Sequence, residues 1–185
     1  MVGKEGAFFM SETLKKSGTD RTKILTLTAL FTGMNIAMSS FGLPVPGGHL
    51  YLNDIVITAA ALLLDPLDAF IVGGIGAFLG DLLFYPTPMF VSLVTHGVQA
   101  AVISFLASKG NKDNSFRTMA IAAGVGALIN VVGYTIGRAF IYATPQAAML
   151  KLPFQILQAV IGAVLGVLLV DRLGLKNQFD RLFHK

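Results

Sequence analysis

The chain has no cysteine, so disulfides and thiolate metal sites are excluded, and its three histidines, His49, His96 and His184, are too scattered to form a ligand cluster. Charge is scarce as well: 13% of the 185 residues are Asp, Glu, Lys or Arg against 54% hydrophobic, with a mean hydropathy of +0.71. A water-soluble domain of this size could hardly hide so much apolar surface, so the composition is that of an integral membrane protein. Also missing are a G-x-x-x-x-G-K-[ST] phosphate loop, a carboxylate pair, a His-Glu metal motif and a nucleophile elbow. The run GGIGAFLG lies inside an apolar segment with no strand before it and does not support dinucleotide binding. No catalytic residue, cofactor or metal is therefore expected. The net charge of +4 does not point to nucleic acid either, because the basic residues lie between apolar segments rather than on a stripe with aromatics.

What is present is a polar leader, residues 1–23, then apolar segments at about 24–41, 50–64, 67–85, 88–108, 118–142 and 147–170, then a polar tail, residues 171–185. Nothing in the leader resembles a signal peptide, and Met1 to Met10 are expected to be disordered or partly helical. A helix needs ~20 residues to span the hydrocarbon core, so the second segment is short. Backbone groups must be satisfied internally in lipid, and no ten-residue alternation suggests a barrel. The expected fold is an all-α membrane protein, a bundle of six transmembrane helices over residues 24–170. Lys and Arg number five in the leader, three in the loop SKGNKDNSFR (Lys109, Lys112, Arg117) and four in the tail, against two, Arg138 and Lys151, on the other side. That bias places both termini in the cytoplasm. Asp65 before Pro66 suits a helix start.

Polar residues inside membrane helices are costly, so they either bond a neighbouring helix or serve function. His96 and Gln99 are three apart on the fourth segment, Asn130, Tyr134 and Arg138 recur every four residues on the fifth, and Gln155 and Gln158 are three apart on the sixth. At ~1.5 Å per residue His96 lies about 12 Å below the outer start of its helix, with Gln155 and Tyr134 at comparable depth. Three stripes at matched depth favour a pocket for a small polar heterocycle over separate interhelical bonds. Arg138 lies nearer the surface, as a snorkelling charge or a contact to an anionic substrate. Tyr85, in FYPTP, is either a gate or an interfacial aromatic. Asp54 and Asp81 are expected to cap loops or to pair with Arg138 or Lys151. Small residues recur at fourfold spacing, among them Ala29, Gly33 and Ala37, Gly73 with Ala77, Gly133 with Gly137, and Gly162 with Gly166, which permits close helix approach.

The block GGHLYLNDIVITAAALLLDPLDAFIVGGIGAFLGDLLFYPTPMFVSLVTHGVQ, followed by Gly133-Tyr134 and by Pro153, Gln155 and Gln158, resembles the S components of energy-coupling factor (ECF) vitamin transporters of the riboflavin-type group. The likeness covers about residues 24–170 and lies in the order and spacing of its motifs. It implies a multi-pass protein of the bacterial cytoplasmic membrane that captures a vitamin or precursor outside, surrounded by membrane lipid, and delivers it with a transmembrane coupling subunit and two cytoplasmic ATPases. It further implies a gating loop at Gly42 to Asn53, with Pro44, Gly47, Gly48, His49 and Asn53, and a coupling-subunit contact at Ala29, Gly33 and Ala37. Asn53 replaces a usual Gly, His96 a frequent Lys, Arg138 an acidic or small residue and Gln155 a common Asn, so the substrate is expected to differ from that of close relatives. Pyridoxine or hydroxymethylpyrimidine suits His96 and the neutral amides best. Pantothenate, which could meet Arg138 or Lys151, and riboflavin are alternatives. From the residues alone, two other readings stay open: a proton-coupled secondary transporter using His96 and Asp81, and a membrane enzyme acting on lipid.

Overall fold

The computed structural model describes residues 4–109 and 115–183, with side-chain placement from residue 20 onward apart from Ser115 and Asp180. The sequence expectations for Met1–Gly3, Lys112, His184 and Lys185 lie outside these residues. Helix α1 (Lys4–Ser39) runs without a break through residue 23, so leader and first apolar segment are one helix. A hairpin follows, β1 (Leu43–Val45) paired antiparallel with β2 (Gly48–Leu50), Val45 opposite Gly48. Next come α2 (Asn53–Leu63), α3 (Pro66–Phe70), a π-helical turn (Ile71–Ile75) and α4 (Gly76–Phe84). Then follow α5 (Met89–Lys109), α6 (Ser115–Gly137) with a second π-helical turn (Arg138–Tyr142), α7 (Pro145–Asp171) and α8 (Leu175–Phe183) in the tail.

Local chemistry sets these boundaries. The Asp65 side chain accepts hydrogen bonds from the backbone N–H groups of Leu67 and Asp68, and Pro66 occupies the first turn, as the sequence suggested. Thr144 caps α7 in the same way, ahead of Pro145. The hairpin was expected only as a loop. Its two-residue turn, Pro46-Gly47, is legible in hindsight: Pro suits the first central position, and Gly47, with φ +80°, takes the left-handed one.

Four stretches are long and apolar enough to cross a bilayer: Pro66–Phe84, Met89–Lys109, Phe116–Tyr142 and Pro145–Asp171. Helix α2 is apolar but has 11 residues, about 16 Å of rise, short of a hydrocarbon core. Outward faces carry Leu83, Phe90, Val94, Leu128, Ile136 and Val160, as lipid contact requires. The interior is small: Ala59, Ala60, Ala69, Ala100 and Ala122 are among its most buried residues, which lets backbones approach closely. Glycines do the same. A Cβ on Gly73 would stand 2.5 Å from the His96 carbonyl oxygen, and one on Gly162 would stand 2.3 Å from the Asp54 Cβ. The repeated small residues of α4, α6 and α7 are thus internal packing, and they set the backbones that carry His96 and Asp54. On α1 the pattern differs: Ala29, Gly33 and Ala37 are exposed, and nothing lies within 4 Å of a Cβ on Gly33.

Candidate functional site

The three polar stripes meet. His96 and Gln99 on α5, Asn130 on α6 and Gln155 and Gln158 on α7 are all buried and joined by hydrogen bonds. Gln155 Nε2 donates to Asn130 Oδ1 at 2.6 Å, Asn130 Nδ2 donates to Gln99 Oε1 at 2.9 Å, and Gln99 Oε1 lies 2.9 Å from His96 Nδ1. At the centre stands a residue not expected there. Asp54, 1% exposed, accepts at Oδ1 from Gln99 Nε2 and Asn130 Nδ2, both at 3.0 Å, and at Oδ2 from Gln158 Nε2 at 2.9 Å. His96 Nδ1 is 3.5 Å from the same carboxylate.

The expected pairing of Asp54 with Arg138 or Lys151 does not form. The second residue of α2 faces α7, where Gly162 lets it approach, and three side-chain amides solvate its carboxylate in place of a cation. Asp81 also departs from expectation: Ser92 Oγ donates to its Oδ2, and the Ser92 hydroxyl is 2.6 Å from the Tyr134 hydroxyl. The two cations serve the hairpin instead. Arg138 Nη1 donates to the Gly47 carbonyl at 2.5 Å, and Lys151 Nζ to the His49 carbonyl at 2.6 Å.

Between hairpin and polar cluster lies a cavity of about 90 Å³. Of the residues expected at a binding site, His96, Tyr134, Gln155, Gln158, Tyr85 and Arg138 line it, as do Gly47, Gly48, His49 and Asn53 of the expected gate. Gln99 and Asn130 are not in its lining but sit behind it, where they hold Asp54 and His96. Pro44 stays in β1 outside the lining, opposite His49 in the hairpin. Sequence reasoning missed Ser39, Tyr51 and Tyr142, and placed Asp81 elsewhere; all four line the cavity. The chain has four tyrosines, and every one of them is in this wall, a concentration that a search by residue type could have shown. The His96 and Tyr134 rings meet edge to face with centroids 5.2 Å apart, and His49 packs against Tyr85 at 5.7 Å.

Three buried atoms of the wall, His49 Nδ1, Asn53 Oδ1 and the Tyr142 hydroxyl, have no hydrogen-bond partner among the described residues. Asn53 is otherwise fixed, its Nδ2 donating to Asn35 Oδ1 at 3.2 Å, while Asn35 Nδ2 donates to the Val72 carbonyl at 2.7 Å. A buried acceptor left unpaired costs about 1–3 kcal/mol, a cost that a donor entering the cavity would relieve.

The family model of the ECF-type riboflavin transporter, S component, matches residues 19–175. The chain belongs to this family. Thiamine precursor transporter HmpT of Lactococcus lactis subsp. cremoris is 30% identical over 176 residues, covering 91% of this chain and 99% of HmpT. The "uncharacterized protein in gap 3′ region" of Pyrococcus woesei is 31% identical over 138 residues, 71% of this chain and 90% of that protein. As an S component the chain is a transporter subunit, not an enzyme, and a multi-pass protein of the cell membrane.

Proposed function

We propose that this S component captures a single-ring vitamin precursor, hydroxymethylpyrimidine ahead of pyridoxine, on the outer side of the membrane. It then delivers its ligand with a transmembrane coupling subunit and two cytoplasmic ATPases. One observation carries the reading: a small cavity, walled by all four tyrosines and by buried polar groups without partners, lies under a hairpin held at two carbonyls. A volume of about 90 Å³ suits one aromatic ring better than a fused three-ring system with a sugar-like chain. The likeness to a thiamine precursor transporter supports the same choice.

In this reading α1, α2, the α3–α4 pair, α5, α6 and α7 make six crossings, α2 borrowing length from the hairpin. Both termini are then cytoplasmic and the hairpin is outside. Pro44 to Asn53 form the gate, and Ala29, Gly33 and Ala37 meet the coupling subunit. Gln99 and Asn130 act on the ligand through His96 and Gln155. Uptake of labelled hydroxymethylpyrimidine by cells expressing this chain tests the proposal. Accumulation is expected only when the coupling subunit and both ATPases are co-expressed. Uptake by the chain alone, abolished by collapsing the proton gradient, would establish the secondary-transporter reading instead.

A further inference from the structure

The cavity's cations and its acceptors differ in how they are engaged. Both nearby positive charges bond the hairpin, Arg138 Nη1 at the Gly47 carbonyl and Lys151 at the His49 carbonyl, and the Arg138 guanidinium also lies over the Tyr142 ring. The acceptors are less engaged. Asp81 lines the cavity and takes one hydrogen bond, from Ser92 to Oδ2, and no described residue donates to Oδ1. Asn53, 5% exposed, presents Oδ1 without a partner because its amide nitrogen is turned to Asn35. The Ser92 hydroxyl donates to Asp81 Oδ2, which leaves its oxygen to accept from the Tyr134 hydroxyl, so this chain ends on Oδ2 and leaves Oδ1 open. A ligand that satisfies Asp81 Oδ1 and Asn53 Oδ1 must therefore bring donors to them, while the Tyr142 hydroxyl, also without a partner, is free to give or accept a further bond.

Resting on the transport reading above, we propose that Asp81 and Asn53 are specificity-determining residues that select an amino-substituted aromatic heterocycle. An exocyclic amine beside a protonated ring nitrogen presents two parallel N–H donors, the pattern a carboxylate reads best. Asp81 accepts from that edge, Asn53 Oδ1 accepts a further N–H or O–H, and the tyrosine and histidine rings hold the faces of the ring. The same wall disfavours a carboxylate-bearing ligand such as pantothenate, whose charge would face Asp81. It also discriminates against a hydroxypyridine, which cannot offer the paired N–H edge.

Titration calorimetry of the purified full chain in detergent tests the assignment, with four probes: 4-amino-5-hydroxymethyl-2-methylpyrimidine, its 4-oxo analogue, pyridoxine and pantothenate. The aminopyrimidine is expected to bind at least about tenfold more tightly than its oxo analogue, the loss of one charge-assisted hydrogen bond. In Asp81→Asn that preference should collapse. The analogue comparison on the unmodified chain does not depend on any variant folding, and the thermal midpoint of ligand-free Asp81→Asn checks its fold. Equal affinity for the amino and oxo compounds, or tighter binding of pyridoxine or pantothenate, overturns the role of Asp81 while leaving vitamin capture intact. Binding of none of the four, with riboflavin also inert, overturns the transport reading and this inference together.

Discussion

Asp54 separates what holds the molecule together from what it binds. Its carboxylate is buried with three amide donors and no lysine or arginine beside it, so the amides are bound to the carboxylate as much as it is to them. Replacing Asp54 with Leu leaves the amides of Gln99, Asn130 and Gln158 short of an acceptor, and a loss of about 3 kcal/mol is expected, measured as ligand-free unfolding in detergent. Gln158→Leu should behave differently. Gln158 lines the cavity, and its Oε1 accepts from the Tyr51 backbone N–H at 3.1 Å. Its loss also strips Asp54 Oδ2 of its donor, so it should cost about 2 kcal/mol of stability and in addition weaken ligand binding about tenfold or more. If affinity stayed unchanged while stability fell as far as in Asp54→Leu, Gln158 would be structural only. At this scale the sequence was informative wherever a polar side chain interrupts a long apolar run: His96, Gln155 and Gln158 stand out for that reason. Asp54 did not, because it lies at the start of its helix, where an acidic residue ordinarily reads as a cap. Its burial comes from α7 closing on it at Gly162, a tertiary fact with no local signature.

Among the elements, the hairpin and the glycine-rich π-helical turn do the positioning. The hairpin is three residues a side and is fastened to the bundle through Arg138 and Lys151. Removing both cations as the Arg138→Ala, Lys151→Ala pair should free it without touching the cavity floor. Ligand dissociation is then expected to speed up about tenfold, two part-buried hydrogen bonds being lost, with little change in association. Stopped-flow fluorescence of the tyrosines would read both rates, and an unchanged dissociation rate would remove the latch from the account. The π-helical turn brings Gly73 against the backbone of His96. Gly73→Ala should force the two apart, costing about 1–3 kcal/mol and lowering affinity as His96 is displaced; a thermal midpoint equal to that of the parent chain would contradict this. The long apolar stretches and the Asp65-Pro66 helix start were readable from the sequence, but the helix count was not. Six were expected, whereas the described residues hold α1–α8 and two π-helical turns, four stretches being long and apolar enough to span. The strands were not readable either, since three-residue strands carry too little alternation to distinguish them from a loop.

Taken as a whole, the molecule has one finished side and one unfinished side. The cavity is enclosed by the hairpin, α5, α6, α7 and single residues of α1, α2 and α4 (Ser39, Asn53 and Asp81), whereas the small-residue face of α1 is exposed and unobstructed at Gly33. In the proposed assembly that face meets the coupling subunit, so Gly33→Leu should leave ligand affinity unchanged and abolish uptake with the coupling subunit and ATPases present. Normal uptake by that variant would remove α1 from the docking surface. Family membership was legible through the order of motifs over residues 24–170, and the match over residues 19–175 bears it out. The ligand was less legible, because its selectivity depends on which polar atoms remain unpaired after folding, and that is decided by helices distant in sequence. Mass spectrometry of the small molecule retained by the purified, isolated chain tests the central claim most directly. One single-ring vitamin precursor, an aminopyrimidine, should be found at about one equivalent; a chain that retains no such compound, and takes none up from a mixture of vitamins and their precursors, would contradict it.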